Sequence, residues 1–233
     1  MAVITISRQH GSGGDEIADR ICELLGYHHF DKRLLKQAAV ESGLSDHEII
    51  DYTEDNYRVK SFIERLTGRP IPVARVSVWR EDTKGVRSAE DVVLSDDVAI
   101  SLVQKAVKAA YQVGDMVVVG RGGQMILKDQ ADVLAVRIEA PMEERVQRIK
   151  SQMKADQKAY RADITLRREA QDLIVTRDYA SADYIRQYYG VDWADPLLYH
   201  LVINTGKVSL ETAAQLIVEM VRRLQSENEP SPA

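Results

Sequence analysis

At 233 residues the chain is sized for one sizeable domain with room for an inserted subdomain, and 45% hydrophobic composition supplies its core. Its 31 Lys and Arg against 36 Asp and Glu give a net charge of −5, which excludes a global positive field for gripping nucleic acid and leaves phosphate work to local clusters. The lone Cys22 excludes an internal disulfide framework and a multi-cysteine metal site, so it reads as a helix-packing residue in a reducing compartment.

The chain opens with Ala2–Ser7, whose Val3, Ile4 and Ile6 predict a strand buried on both faces. A glycine-rich turn follows, and Ile17, Ile21, Leu24 and Leu25 then predict a helix from about Asp15 to Leu25, stopped by Gly26. Residues 32–110 read mainly as helix, broken around Thr67–Val73 by Gly68, Pro70 and Pro72, with a long helix over Ala89–Tyr111 ended by Gly114. Met116–Val119 and Val133–Ile138 predict two further buried strands, separated by a helical turn near Gln124–Leu127. Pro141 marks a helix start, with Glu143 and Glu144 in a first turn that favours carboxylates, and this helix runs to about Lys158. A charged helix through Thr176, a separate helix over Ala180–Tyr189, a strand at Leu201–Ile203 and an amphipathic helix over Ser209–Leu224 complete the series. Strands alternating with helices predict a parallel α/β sheet. Residues 1–225 are expected to form one domain, followed by a loose tail over 226–233. Neither a signal segment nor an apolar run of about 18 residues is present, so a cytoplasmic protein without a membrane partner is expected.

The most informative stretch runs from Ile4 to Ile17, where a strand enters His10, Gly11, Ser12, Gly13 and Gly14 before a helix begins. Small residues let backbone N–H groups crowd around an anion, and a helix N-terminus adds its positive end. The pattern is not the standard G-x-x-x-x-G-K-[ST], because no lysine occurs between residues 9 and 31. A tight strand-to-helix turn without a ligand is the competing interpretation. His10 is placed to donate to a phosphate oxygen, and Glu16 either holds magnesium or is an ordinary first-turn carboxylate. Gly120-Arg-Gly-Gly123 follows a predicted central strand, the end of an open α/β sheet where ligands bind. Arg121 there suits an anion that accepts two parallel bonds, or else ties two loops together through carbonyls. Asp31 touches an acceptor, orders the loop or caps a helix before Lys32. Arg161, Arg167, Arg168, Arg177 and Asp178 either close over phosphates or form a solvated helix face. Tyr184, Tyr188, Tyr189 and Trp193 read as packing for the last strand, and the spacing of His10, His28 and His29 does not suit zinc.

Taken in order, Ile6-Ser-Arg-Gln-His-Gly-Ser-Gly-Gly14, Gly26-Tyr-His-His-Phe-Asp31, Val118-Val-Gly-Arg-Gly-Gly123, Arg137-Ile-Glu-Ala-Pro-Met-Glu-Glu-Arg145, Tyr188-Tyr-Gly-Val-Asp-Trp193 and Leu201-Val-Ile-Asn-Thr-Gly206 resemble the cytidylate-kinase-like proteins, relatives of bacterial cytidylate kinase among the P-loop nucleoside-monophosphate kinases. The resemblance spans nearly the whole chain. It implies a P-loop NTPase-like parallel sheet flanked by helices, ATP phosphates on the first glycine loop with Mg2+, an acceptor nucleotide in a helical insertion over about 32–110, and a lid over about 155–190. It also implies that Arg121 grips the acceptor phosphate; Asp31 and Asp178 are the further candidates for binding the acceptor. Laid on a standard loop, Gly14 falls where the lysine belongs, Glu16 where a magnesium-binding threonine belongs and Arg8 where the first glycine belongs. Asp15 stands where members often carry a basic residue, and Ser181 where an arginine is expected after Asp178. Arg8, Arg121, Arg177 and Arg186 are the candidates to supply the missing positive charge, a contribution commonly of several kcal/mol to such a barrier.

Two functions of different class follow: ATP-dependent phosphoryl transfer to a nucleoside monophosphate such as CMP, or a nucleotide-binding or regulatory protein that keeps the fold without efficient transfer. A kinase for a non-nucleotide acceptor is a third. The partners expected are small nucleotides rather than nucleic acid, with a homodimer expected from base rates alone.

Overall fold

The computed structural model describes residues 2–30, 74–81, 87–94, 96–156 and 162–228. The chain divides into two compact units, residues 1–29 with 114–233, and residues 30–113.

The larger unit is built on five parallel strands, β1 (Val3–Arg8), β2 (His28–His29), β5 (Met116–Val119), β6 (Val133–Glu139) and β7 (Leu201–Asn204), arranged in the order β2-β5-β1-β6-β7. The buried run of β1 occupies the centre, with Thr5 opposite both Val118 and Ala135. Side chains alternate across a strand, so Ala2, Ile4 and Ile6 share one face with Leu134, Val136 and Ile138. That face is covered by α1 (Gly14–Leu25) and α6 (Leu210–Asn228), which contribute Ile17, Ala18 and Ile21 and then Ala213, Ile217 and Val221. Gly26, at φ +69°, ends α1 in the left-handed conformation expected of its C-terminal glycine. The opposite face carries Ser7 and the buried guanidinium of Arg137, only 2% exposed. Arg137 donates to Glu139 at 2.5 Å and to the Trp193 carbonyl at 2.7 Å, and it lies 4.2 Å from the Trp193 ring centroid. Trp193 in turn donates to the Ser7 hydroxyl at 2.7 Å, so it packs against β1 and β6, where the sequence had suggested the last strand.

The predicted strands and the helices flanking them recur within a residue or two: α3 (Gly123–Ile126) is the expected helical turn, and α4 (Met142–Asp156) follows Pro141. Three differences stand out. The two late helices expected on either side of residues 177–179 are a single one, since α5 runs unbroken over Asp163–Tyr189. No Gly or Pro occurs in that stretch, and the buried positions Leu166, Ala170, Ile174, Ser181 and Ile185 keep helical spacing straight through the expected gap. Secondly, α6 continues to Asn228, into the segment expected to be a loose tail; residues 229–233 lie outside the described residues.

The third difference lies in the smaller unit. It contains an antiparallel hairpin, β3 (Ala74–Glu81) with β4 (Arg87–Leu94), in which Val76 pairs with Val92 and Trp79 with Ala89. Helix α2 (Asp96–Val113) therefore begins seven residues after the expected Ala89, and it ends before Gly114 at φ +75°. Ala74, Val76 and Val78 alternate with Arg75 and Ser77, and Val92-Val93 is β-branched, so each segment suits a strand once its partner completes the ladder. The proline-marked break at Thr67–Val73 and the rest of 31–73 lie outside the described residues.

A proline placed in the expected gap tests the unbroken helix. Tyr179→Pro should cost about 3 kcal/mol or more in chemical denaturation, whereas Tyr179→Ala should cost well under half of that. Equal tolerance of both would mean that the helix is interrupted there.

Candidate active site

Four segments meet at the carboxyl end of the sheet: the glycine loop after β1, Gly120–Gly123 after β5, Ala140-Pro141 after β6 and Thr205-Gly206 after β7. This is the edge at which ligands bind in open parallel sheets.

The glycine loop is held peptide by peptide from outside. The Gln9 N–H donates to the Ile138 carbonyl at 3.0 Å, and the His10 N–H donates to Asp178 Oδ1 at 2.8 Å. Arg145 reaches the His10 carbonyl at 3.4 Å, Arg148 reaches the Gly11 carbonyl at 3.4 Å, and the Thr205 hydroxyl donates to the Ser12 carbonyl at 2.6 Å. Gly11 and Gly13 stand at φ +78° and +84°, a region that side-chain-bearing residues avoid. An added Cβ at Gly13 would also lie 2.5 Å from a Leu210 methyl, so α6 seals the loop's underside.

Above the loop lies a cavity of about 100 Å³ lined by Gly11, Gly13, Gly14, Asp15, Glu16 and Arg148 among others. It is smaller than the roughly 300 Å³ of a whole small-molecule pocket, so it is a niche for one small group. His10, Gly11, Gly13 and Gly14 line it, whereas Ser12 does not. The Ser12 side chain is fully buried, its hydroxyl has no hydrogen-bond partner among the described residues, and its N–H is used by the Gln9 carbonyl at 3.1 Å. Ser12 therefore shapes the loop rather than facing the niche.

The absent lysine has a counterpart in space. A Cβ added at Gly14 would fall 2.6 Å from Arg8 Cβ and 2.8 Å from its Cγ, so the Arg8 stem lies across the place where a residue-14 side chain would start. The Arg8 Nε reaches Asp15 Oδ1 at 3.3 Å, with Asp15 69% exposed, a pair that solvent weakens. Glu16 lines the niche beside Asp15 and accepts from Gln152 at 3.4 Å. One or two carboxylates with the remaining positions left to water and phosphate is a donor set that suits magnesium, so these residues fit the implied ion.

Arg121 adopts φ +59° between Gly120 at +69° and Gly122 at +68°. A left-handed non-glycine residue costs on the order of 1–2 kcal/mol, and such strain concentrates at sites of ligand contact. The turn is anchored by the Gly120 N–H on the Ile6 carbonyl at 2.8 Å, and the Tyr189 ring closes on Gly122, where an added Cβ would come within 2.9 Å of it.

The continuous α5 changes the relation between its two candidate arginines. Arg177 and Arg186 are nine residues apart, so they lie about 13 Å apart along the axis and roughly half a turn apart around it. They do not converge on one point. Asp178 faces the glycine loop, where it also accepts from Arg145 through a short contact. Asp31 lies outside the described residues.

Arg145, Arg148 and Thr205 are the contributors that sequence reasoning missed. The signal was the i, i+3 spacing of two arginines on the helix after Pro141, one turn beyond the expected start. Cys22 packs half-buried against the core, and burial, then the Asp19 charge, pushes its thiol up to about 11.

A family profile described as the Cytidylate kinase-like family matches residues 3–207. The chain is 27% identical over 219 residues to a cytidylate kinase of Aeropyrum pernix, covering 94% of this chain and 98% of that one. It is 35% identical over 117 residues to a cytidylate kinase of Methanosphaerula palustris, covering 50% and 58% of the two chains. An uncharacterized protein from Eubacterium ventriosum shares the fold, with a TM-score of 0.59, 18% identity and coverage of 95% and 99%.

Two outcomes are expected from this geometry. Gly13→Ala should destabilise the protein by more than about 1 kcal/mol, through both its φ and the Leu210 contact, as read by thermal or urea unfolding. With its thiol pushed up to about 11, Cys22 should carry on the order of a thousandth of its population as thiolate at pH 8 and alkylate slowly in native protein, accelerating as the pH rises. Fast iodoacetamide labelling at pH 8 would contradict that placement.

Proposed function

Since the chain belongs to the cytidylate kinase-like family, we propose that it transfers the γ-phosphoryl group of ATP, with magnesium, to a nucleoside monophosphate such as CMP. The observation that carries this reading is the glycine loop, whose peptides are oriented by groups from other segments around a niche sized for one small group. Phosphoryl transfer needs positioning and charge neutralisation rather than a covalent intermediate, and the site is made of parts for those tasks.

In this reading the loop amides of Gly11, Gly13 and Gly14 and the N-terminus of α1 receive the ATP phosphates, with His10 at the rim. Arg8 and Arg148 supply positive charge on either side of the loop, Arg8 from the strand end in place of the lysine. Glu16, with Asp15 beside it, would hold a magnesium ion, which would supply positive charge to offset the charge that grows on the phosphates. Arg121, aimed by its strained turn, orients the acceptor phosphate with a two-pronged contact, and Asp31 belongs to the acceptor side. Arg177 and Arg186 act from different faces of α5, one toward each phosphate group. The reading places the protein in the cytoplasm, where ATP is supplied, and no helix among the described residues is long and apolar enough to cross a membrane.

A second reading, a nucleotide-binding or regulatory protein, is favoured by Gly14 and Asp15, which leave the helix start with a carboxylate where a cation is customary. A coupled assay with ATP and magnesium across CMP, dCMP, UMP and AMP, set beside thermal shifts with the same ligands, separates the two. Turnover supports the kinase; a shift without turnover supports the binding protein. Within the kinase reading, Arg8→Ala should weaken ATP binding about 10-fold or more and leave the monophosphate nearly unchanged, while Arg121→Ala should do the reverse. Small and equal effects in calorimetry would defeat the assignment of both residues.

A further inference from the structure

From the sequence Asp178 is a candidate for binding the acceptor, but its surroundings are those of the phosphate loop. Along α5, Ile174, Asp178, Ser181 and Ile185 fall at i, i+4, i+7 and i+11, so Asp178 lies on the stripe that the helix buries. Its side chain is 20% exposed, and its partner Arg145 on α4 is 7% exposed. A carboxylate on such a stripe needs strong partners, and Asp178 has two: the His10 N–H at 2.8 Å on one oxygen and the Arg145 guanidinium on the other.

The geometry has a specific effect on the loop. Asp178 takes the N–H of His10 while Arg145 donates to the carbonyl of the same residue at 3.4 Å. A single ion pair thereby fixes the peptide units on both sides of His10. The carbonyl of His10 belongs to the peptide whose N–H is that of Gly11, the first loop glycine to line the niche, so orienting one orients the other. Asp178 brings α5 to the loop, whereas Ile138, Arg148 and Thr205 reach it from β6, α4 and the end of β7.

We infer that Asp178 is a positioning residue for the ATP side of the site: with Arg145 it presets the glycine loop for a triphosphate and ties α5 to that loop, rather than contacting the acceptor. The inference rests on the reading of the loop as the ATP phosphate site. Because the bond is to a main-chain amide, any side chain at position 10 that leaves an N–H preserves it, and the information is carried by residues 145 and 178.

The test is calorimetric titration of ATP with magnesium into the native chain, Asp178→Asn and Asp178→Ala, with the thermal midpoint and circular dichroism of each variant measured alongside. A parallel titration uses whichever of CMP, dCMP, UMP and AMP the native chain binds most tightly. Asn keeps an oxygen for the His10 amide but loses the charge that holds Arg145, so it should fall between native and Ala. Asp178→Ala should weaken ATP about 10-fold or more, the loss expected of a charged hydrogen bond, and leave the monophosphate within about twofold. Asp178→Asn, as the milder change, reads the effect if Ala fails to fold. Weakened monophosphate with unchanged ATP would return Asp178 to the acceptor and overturn the inference, as would an equal loss for both ligands or no change for either. A native chain that binds no ATP would instead remove the loop reading itself, and the inference with it, before any variant is compared.

Discussion

A glycine-rich loop has no side chains with which to hold itself, and fixing each residue costs roughly 1–2 kcal/mol of backbone entropy, most for glycine. The loop over residues 9–14 is ordered by donors and acceptors that lie 135 to 193 positions away in sequence: Arg145, Arg148, Asp178 and Thr205. That requirement explains much of the larger unit. Helix α4 must bring two arginines one turn apart to the loop, β7 must end where Thr205 reaches Ser12, and α5 must lie against α4. Val146 and Ile149 pack against Ala170 and Ile174 to keep those two helices in register.

The two faces of the sheet meet this demand differently. Beneath α1 and α6 its core is apolar, and the burial of Ile4, Ile6, Ile17, Leu134 and Ile217 is the main source of stability. On the other face a buried guanidinium replaces hydrocarbon. Arg137 is tolerable there because Glu139, the Trp193 carbonyl and two aromatic rings satisfy it, the condition on which a buried charge is kept. Through the Trp193 bond to Ser7, this polar cluster braces β1 one residue before Arg8 and hence the entrance to the loop.

Charge around the loop is redistributed rather than simply missing. A lysine in place of Gly14 would collide with the Arg8 stem, and a glycine in place of Arg8 would leave that space open, so the two positions answer each other sterically. The Arg8 pair with Asp15 is 3.3 Å long with Asp15 69% exposed, so solvent screens it. Arg148, already lining the niche, adds a second cation that no loop motif contains.

The strands and the helices beside them were legible because buried parallel strands are compact runs such as Met116–Val119, and because Gly26 and Gly114 sit where helices end. The hairpin at Ala74–Leu94 was not, since Val92-Val93-Leu94 fits a helical period as readily as a strand until β3 is beside it. The unbroken α5 was missed although no breaker stands between Thr176 and Ala180. At the site, the order of the glycines and the position of Arg121 after β5 were written in the sequence, as local backbone needs always are. That Asp178 meets His10, that Arg145 and Arg148 reach the loop, and that Arg8 overlies Gly14 were decided only by tertiary structure. Contacts of that kind depend on which faces of distant elements pack together, and one-dimensional spacing carries no record of that.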